Sequence, residues 1–414
     1  MIDASKGFVK DGNKNRLRAQ DIHKIVDAFT KQLEVPGFSR LVPLAEISDP
    51  KNDYNLNLPR YIDSTEAEDL QDISAHLQGG IPDRDVDALQ SYWKVLPSVR
   101  ARLFGPADRP GYSALLAPAG DIKATIFGHA EFRAFNQTVT DRFAQWKAAS
   151  LPLLKGIAVG SHPKELIRTL SESLLGTFQD TPLLDAYDVY QHLMSYWAET
   201  MQDDAYLLAQ DGWKALIGSQ PNTDLIPASL IVARYFAADA LAVEMLEAAR
   251  AELSRQMEEM DEEHDGEEGL LAEARTDSGK LTKISINARL KAIQSDPESA
   301  EEGKLLRTYR NLLEEEAQAA KKVKDAQKAL DARVVANYAH LSEEEVKTLV
   351  VDDKWLATLA AAVQSELDRV SQALAGRVKQ LAERYAMPLP ILTCEVEAFS
   401  ARVEVYLRKM GVVW

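Results

Sequence analysis

Five polar side chains in the first sixty residues have the chemistry of a nucleic-acid contact. Lys14 and Arg16 belong to a locally basic stretch, and such cations bind phosphate oxygens. Asn55, Asn57 and Arg60 lie close together between two tyrosines, and amides and guanidinium groups can meet base edges as well as phosphates. We predict these five residues as possible DNA contacts. Two alternatives stay open, because the basic stretch could be a solvated loop face and the amides could tie down loop backbone beside a sheet.

A metal site can be drawn on one predicted helix face, where Asp188 precedes His192 by four residues and Glu199 and Asp203 extend the polar stripe. The spacing is not the His-Glu-x-x-His of zinc peptidases. A carboxylate that orients a histidine at a helix surface or interface is the simpler interpretation. We therefore predict no metal ligands.

Nucleophilic and calcium chemistry have equally little support. Cys394, the single cysteine, has Glu395 and Glu397 beside it rather than the positive charges that activate a thiol. The acidic run at 258–268 lacks the alternating aspartates and distal glutamate of an EF-hand loop, and is interpreted as a frayed helix end or linker. No catalytic residue is predicted from these features.

The chain also lacks two features that a methyltransferase acting on adenine needs. No Gly-x-Gly occurs, although nucleotide and S-adenosylmethionine folds place closely spaced glycines where backbone approaches the ligand. No Pro-Pro dipeptide occurs, so the polar-Pro-Pro-aromatic loop that receives a flipped base is missing. The sequence predicts neither catalytic nor cofactor-binding residues in this chain.

Composition limits the class of protein. The 414 residues are enough for two or three domains, and 46% hydrophobic residues can build ample cores. The formal charge of -16 disfavours tight DNA binding by the chain alone, because the surface repels phosphate. One cysteine, no long apolar run and no signal-like start predict a cytoplasmic protein without disulfides or membrane spans.

The elements that must position these residues are mostly helical. We predict a mainly α fold with a small α/β remnant of a larger sheet at the N-terminus, followed by a helical domain and a long antiparallel helical hairpin. The predicted segments are 1–65 (α/β tail), 66–255 (helical domain), 256–302 (acidic, partly disordered linker) and 303–414 (hairpin, with arms within 303–386, and C-terminal helix). Residues 54–62 are predicted as an extended strand.

Three helix patterns are specific enough to test. Ile22, Ile25, Val26, Phe29 and Leu33 recur at helical spacing near the N-terminus. Tyr187, Tyr190, Met194, Trp197 and Met201 form an aromatic stripe that we interpret as core packing. Ser342 and Glu345 form a capping box, flanked by Leu341 and Val346 as a hydrophobic staple, which predicts a helix start at this point.

Several segments resemble the modification (M) subunits of type I restriction-modification systems. They are Ile2-Asp3-Ala4-Ser5-Lys6-Gly7-Phe8, Asn13-Lys14-Asn15-Arg16-Leu17, Asp21-Ile22-His23-Lys24-Ile25 and the stretch from Tyr54 to Asp63. Later stretches that are similar to one branch of that family are Gly79-Gly80-Ile81-Pro82, Leu184-Asp185-Ala186-Tyr187-Asp188-Val189-Tyr190 and Val350-Val351-Asp352-Asp353-Lys354-Trp355-Leu356. The resemblance spans nearly the whole chain, and the first sixty residues are its most specific part.

The resemblance implies a DNA adenine-N6 methyltransferase that uses S-adenosylmethionine. It also implies that the family's glycine-rich motif and Asn-Pro-Pro-aromatic loop lie upstream of this chain, so the expected partners are a separate or missing N-terminal catalytic segment, the specificity subunit and DNA within that complex. We expect the chain to be inactive alone. The alternatives are a stand-alone helical interaction or regulatory module, and an unrelated enzyme built from dispersed carboxylates and histidines.

Overall fold

A computed structural model describes residues 1–65, 70–264, 266, 269–276, 279–297 and 299–411 of the chain. Helices dominate, and every sheet in this described part is small and antiparallel. The predicted mainly α fold with a small α/β segment at the N-terminus is confirmed. The chain forms two compact units, Met1–Gly212 with Trp355–Trp414, and Trp213–Lys354. These units do not follow the four segments predicted from the sequence.

The N-terminal segment of the first unit begins with a two-stranded antiparallel hairpin. Its elements are β1 (Val9–Asp11), β2 (Lys14–Arg16), α1 (Ala19–Thr30), α2 (Leu44–Ile47) and a 3-10 helix at Leu58–Arg60. The hairpin turn contains Gly12 at a φ of 60°, a conformation that glycine adopts without strain. α1 contains most of the apolar pattern that predicted a helix here.

The extended strand predicted for residues 54–62 is wrong. Asp53 and Tyr54 take positive φ angles of 44° and 57°. The side chain of Asn55 accepts the backbone N–H of Asn57 at 2.9 Å, which is the geometry of an Asx turn. Local side-chain to backbone bonds of this kind compete with a sheet ladder, so the segment turns and then forms the 3-10 helix.

A helical body makes up most of the first unit. Its elements in chain order are α3 (Ile73–Gln78), β3 (Ile81–Pro82), α4 (Asp83–Asp87), α5 (Gln90–Val95), α6 (Pro97–Leu103), β4 (Phe104–Pro106), β5 (Tyr112–Leu115), a 3-10 helix (Ala119–Asp121), α7 (Ile122–Phe127), α8 (Ala130–Lys155), α9 (Pro163–Phe178), α10 (Ala186–Tyr196), a π-helix (Trp197–Met201) and α11 (Gln202–Asp211). The three strands form one antiparallel sheet in the order β3-β5-β4.

The second unit and the final helices follow. The second unit contains β6 (Leu216–Ile217), β7 (Gln220–Pro221), α12 (Ala228–Tyr235), α13 (Ala237–Glu263), a 3-10 helix (Ala272–Ala274), α14 (Lys283–Ala292), α15 (Ala300–Tyr338) and α16 (Glu343–Lys347). A π-helix (Thr348–Leu356) leads into α17 (Ala357–Arg384), and α18 (Leu389–Lys409) is the last helix. The predicted capping box is confirmed, since Ser342 and Glu345 bond each other's backbone N–H groups at the start of α16.

The core of the first unit lies between α8, α9, α10 and α17. Buried Trp146 donates its indole N–H to the carbonyl of Leu170, and buried Trp355 donates to the Asp204 carboxylate at 2.8 Å. Tyr190, Trp197 and Met201 of the predicted aromatic stripe are buried in this core. The interpretation of that stripe as core packing is therefore confirmed.

The long hairpin exists, but the structure corrects its arms. α13 pairs with α15 in antiparallel fashion, with ion pairs between Asp239 and Arg333 at 2.8 Å and between Arg250 and Glu316 at 2.7 Å. α17, the predicted second arm, packs instead against α7, α8 and α10. Apolar periodicity shows which face of a helix is buried without identifying the helix that buries it, and this is why the sequence paired the wrong arms.

The described residues of the segment 256–302 include helices where the sequence predicted an acidic linker. α13 continues through the first part of the acidic run as far as Glu263, because Met257 and Met260 alternate with the acidic residues and pack inward. A buried cluster closes this end of the hairpin, formed by Leu271, Ala274, Ile286, Leu306 and Tyr309. The rest of the acidic run includes Asp265, Glu267 and Glu268, which lie outside the described residues.

Candidate nucleic-acid and protein interfaces

Lys14 and Arg16 lie on β2, directly after the turn of the N-terminal hairpin. Both side chains are exposed. The Arg16 guanidinium approaches the Asp11 carboxylate at 3.4 Å across the hairpin, whereas Lys14 makes no ion pair with any residue that the structure describes. An exposed surface pair of this kind contributes little free energy, so both cations are available to a phosphate group.

Asn55, Asn57 and Arg60 lie on the turn that replaces the predicted strand. Arg60 donates to the carbonyl of Lys51 at 3.0 Å, and the Tyr61 hydroxyl donates to the carbonyl of Asn55 at 2.6 Å. Asn55 and Arg60 therefore brace the loop, as the alternative interpretation expected, while the side chain of Asn57 is exposed. Among the described residues, no hydrogen bond or ion pair joins this loop to the basic hairpin.

The start of the chain forms a scaffold for α1. Asp3 accepts the Ser64 hydroxyl at 2.6 Å and the backbone N–H of Ser5 at 3.0 Å, and these bonds lower the pKa of Asp3. A Cβ on Gly7 would lie 2.8 Å from a carboxylate oxygen of Asp21. Glycine is needed at this position because the backbone passes so close to the first turn of α1.

The face of α1 that packs into the first unit is polar. Gln20 donates to Asp188 at 2.8 Å, and Tyr187 donates its hydroxyl to Asp27 at 2.8 Å. Burial opposes ionisation of Asp27, but hydrogen bonds from Tyr187 and a neighbouring lysine outweigh it, so the pKa of Asp27 is lowered. Hydrogen bonds between polar side chains thus join α1 to α10, together with the ring contact between His23 and Tyr190.

The apolar face of α1 is exposed, and sequence reasoning missed this. Ile22, Val26 and Phe29 on α1 and Leu33, three residues after the helix ends, are all exposed, and 76% of Phe29 is accessible. We call these four residues the α1 face. Their helical spacing is typical of a helix that buries its apolar side in a core. The structure instead buries the opposite, mostly polar side of α1 and exposes these side chains to solvent.

Asp188 and His192, two of the residues considered for a metal site, belong instead to an ion-pair network around the buried carboxylate of Glu366, whereas Glu199 and Asp203 are exposed. His192 lies 3.7 Å from Glu366 of α17, and Arg369 bonds both Glu366 and Asp188. Burial would raise the pKa of Glu366, but the hydrogen bonds and charges of His192 and Arg369 outweigh it and lower that pKa to about 2. Within the described residues, no group of three or more His, Cys, Asp or Glu side chains is placed to hold a metal ion.

α18 presents a continuous apolar stripe to solvent. Its members alternate at spacings of three and four, and they are Leu389, Leu392, Val396, Phe399, Val403, Tyr406 and Met410. Each is between 41% and 78% exposed, and no residue of α18 is buried. A strict three-four repeat is the a/d seam of a coiled coil, so we call this stripe the α18 seam. The repeat was visible in the sequence, but its exposure to solvent was not.

Comparison with known proteins gives the class of the N-terminal segment. Residues 1–70, which hold the basic hairpin, α1 and the 54–62 turn, match the family described as N-6 DNA Methylase. Over 81 residues the chain is 42% identical to the type I restriction enzyme MjaVII methylase subunit of Methanocaldococcus jannaschii, which covers 19% of this chain and 14% of that protein. The resemblance to type I methylase subunits is confirmed over this small part of the chain.

The match leaves most of both proteins uncovered. The chain spans 14% of the length of the curated relative that it matches. No solved structure matches the chain. Within the described residues, no helix is long and apolar enough to cross a membrane.

Proposed function

We propose that this chain is the C-terminal part of the modification subunit of a type I restriction-modification system, a DNA adenine-N6 methyltransferase. In this proposal the chain binds the specificity subunit and helps to hold DNA. Another segment, in the same or a separate polypeptide, supplies the catalytic loop and binds S-adenosylmethionine. The match of residues 1–70 to N-6 DNA methylases carries the proposal.

The chain's own residues do not fit S-adenosylmethionine. Such cofactors bind where a glycine-rich turn follows a strand of a parallel sheet. The sheets of the described residues are antiparallel and have two or three strands, and no Gly-x-Gly occurs in the sequence. We therefore derive no step of methyl transfer from this chain.

The exposed α1 face supports the proposal that another segment of the methyltransferase fold packs against α1. A helix in an isolated domain buries its apolar face, but α1 buries Gln20, Asp21 and Asp27 and leaves Ile22 and Phe29 in solvent. We assign the α1 face to the catalytic segment, because it lies inside the residues that match the methylase family.

The α18 seam supports the specificity subunit as the second partner. Seven apolar positions in a three-four repeat fit one long helix of another protein, by knobs-into-holes packing. Separate surfaces for the two partners let one chain connect catalysis to DNA recognition. The stand-alone helical module is the competing function, and it differs by using the α18 seam for a second copy of itself.

The first experiment is coexpression of the full chain with the specificity subunit of its system, followed by size-exclusion chromatography with light scattering. We expect a stable complex that V396E/V403E abolishes. A401E is the matched control, since it adds a carboxylate to the opposite side of the same helix. A chain that ignores the specificity subunit and dimerises through the α18 seam contradicts the proposal and favours the stand-alone module.

Calorimetric titration with S-adenosylmethionine tests the other half of the proposal. We expect no heat of binding with the chain alone, and binding with unit stoichiometry once the catalytic segment is added. F29D should prevent this rescue while α1 stays folded. Clear binding by the chain alone would mean that it contains a complete cofactor site, and this would contradict the proposal that another segment binds S-adenosylmethionine.

A further inference from the structure

Four lysines form an exposed basic stripe on the second half of α15. Lys321, Lys322, Lys324 and Lys328 all lie in solvent. Residues 317–330 contain one acidic residue, Asp325, so this stretch carries a net charge of +3 in a chain whose formal charge is -16. We call these four residues the α15 lysines.

The α15 lysines have no carboxylate partners within the part of the chain that the structure describes. Other cations of the same unit do have them: Arg234 pairs with Asp353 at 2.6 Å, and Arg333 pairs with Asp239 at 2.8 Å. Lysines three and four residues apart on a helix repel one another. Asp325, four residues after Lys321 and three before Lys328, offsets only part of this repulsion. The stripe therefore adds little to helix stability, and a role in binding an anion explains it better.

The buried side of α15 leaves Lys321, Lys324 and Lys328 together on the opposite, exposed face and places Lys322 on the flank of that face. Leu330 and Val334 are buried, and α13 packs along the same side of the helix. Lys321 and Lys328 are seven residues apart, which places them roughly 10 Å apart along the helix axis. One DNA strand presents a phosphate about every 3.4 Å along its axis, so this length faces about three phosphates.

We propose that the α15 lysines contact the phosphate backbone of duplex DNA. The inference rests on the proposed function, because that function makes DNA the polyanion that the protein meets. Lysine ammonium groups act as point charges, so the contact holds and orients the duplex without reading its sequence. The site is separate from Lys14, Arg16 and the 54–62 turn, which belong to the methylase-like segment.

The test measures binding of the full chain to a labelled 30-base-pair duplex from about 50 to 200 mM salt. Low salt is needed because the acidic remainder of the chain opposes binding. We expect K321Q/K322Q/K324Q/K328Q to make the slope of log Kobs against log salt shallower by about 2.7, at roughly 0.9 per phosphate. Over this range the wild type then loses roughly fortyfold more affinity than the variant.

Two controls define the result. The corresponding Lys→Arg quadruple variant keeps the four charges and should keep the slope. K164Q/K214Q/K291Q/K304Q removes four exposed lysines from elsewhere and should change the slope by less than one unit. Circular dichroism and thermal melting must show all variants folded, which is expected because none of these side chains is buried.

Several outcomes overturn the inference. They are a wild-type chain that does not bind duplex at 50 mM salt, an unchanged slope in the α15 variant, and an equal effect of the two glutamine sets. Poly-glutamate that competes as well as DNA for the α15 lysines would point to an acidic protein instead. None of these results affects binding of the specificity subunit, so failure here is distinguishable from failure of the proposed function.

Discussion

Glu366 shows how a single buried carboxylate can connect three helices. Its carboxylate accepts a hydrogen bond from Arg369 of the same helix and lies beside His192 of α10. Arg369 also donates to Asp188 of α10, which in turn accepts a hydrogen bond from Gln20 of α1. Removing Arg369 or His192 would leave the buried Glu366 carboxylate with less compensation for its lost hydration. The network therefore fixes how the N-terminal segment sits on α10 and α17.

A pH-dependent loss of stability should follow from Glu366. Its folded pKa of about 2 lies below the ordinary value of 4.5, so it stabilises the fold above about pH 4.5 and this contribution disappears as pH falls toward 2. E366Q should lower the free energy of unfolding by on the order of 2 kcal/mol at pH 7. Urea titrations of both proteins between pH 2.5 and 7 should show the difference shrinking with acid. A difference that is constant with pH would contradict the assignment.

Gly7 should tolerate no side chain, because Asp21 is held in place by Arg18 and cannot move aside freely. G7A is expected to lower the free energy of unfolding by about 1 to 2 kcal/mol through the resulting shift of α1. G176A is the matched control, since open space surrounds this exposed glycine within α9, and it should stabilise the protein by about 0.5 to 1 kcal/mol. Equal effects of the two substitutions would show that the close approach to Asp21 has no cost.

Arg60 can act on DNA, on the loop, or on both, and salt dependence separates these roles. If its guanidinium meets a phosphate, R60A in the reconstituted complex should weaken DNA binding and reduce the salt slope by about one unit. R60K keeps the charge but loses the fork that reaches Lys51, so it should keep the slope. An unchanged slope in R60A would leave the residue with a structural role only.

At the scale of single helices and strands, sequence motifs predicted the structure correctly where the residues of the motif contact one another within one turn. The start of α16 is one case, because the Ser342–Glu345 box spans a single turn. S342A should lower the free energy of unfolding by about 1 kcal/mol, whereas S342T should retain most of the cap. Thermal melting of the three proteins provides the measurement. An equal loss in S342A and S342T would mean that packing, rather than the cap, sets the helix start.

The helices α1 and α18 show the opposite case. The sequence predicts that each helix forms, but it does not predict whether the apolar side of the helix is buried or exposed. Both carry apolar repeats that would suit a core, and both leave those repeats in solvent. Nothing in a repeat states whether its partner lies in the same chain. Exposed apolar faces of this extent are typical of surfaces that another protein covers.

For the whole molecule, the division into two units predicts that the second unit folds by itself. It has its own core, in which Tyr338 donates to the carbonyl of Ile226 at 2.5 Å and Leu349 and Val350 are buried. A protein of residues 213–354 should be helical and melt cooperatively. Far-ultraviolet circular dichroism with thermal unfolding would measure this. A non-cooperative melt would show that the unit depends on the rest of the chain.

The sequence alone determined the mainly α fold, the helix start at Ser342, the core role of the aromatic stripe and the relationship of the first residues to type I methylase subunits. Each depends on periodicity, on a one-turn motif or on residue identity over a short range. Only the tertiary structure decided that α13 is the partner of α15, that residues 54–62 form a turn, and that the side chains of the α1 face and the α18 seam are exposed. These outcomes depend on which distant surfaces meet, and side-chain spacing along one element does not contain that information.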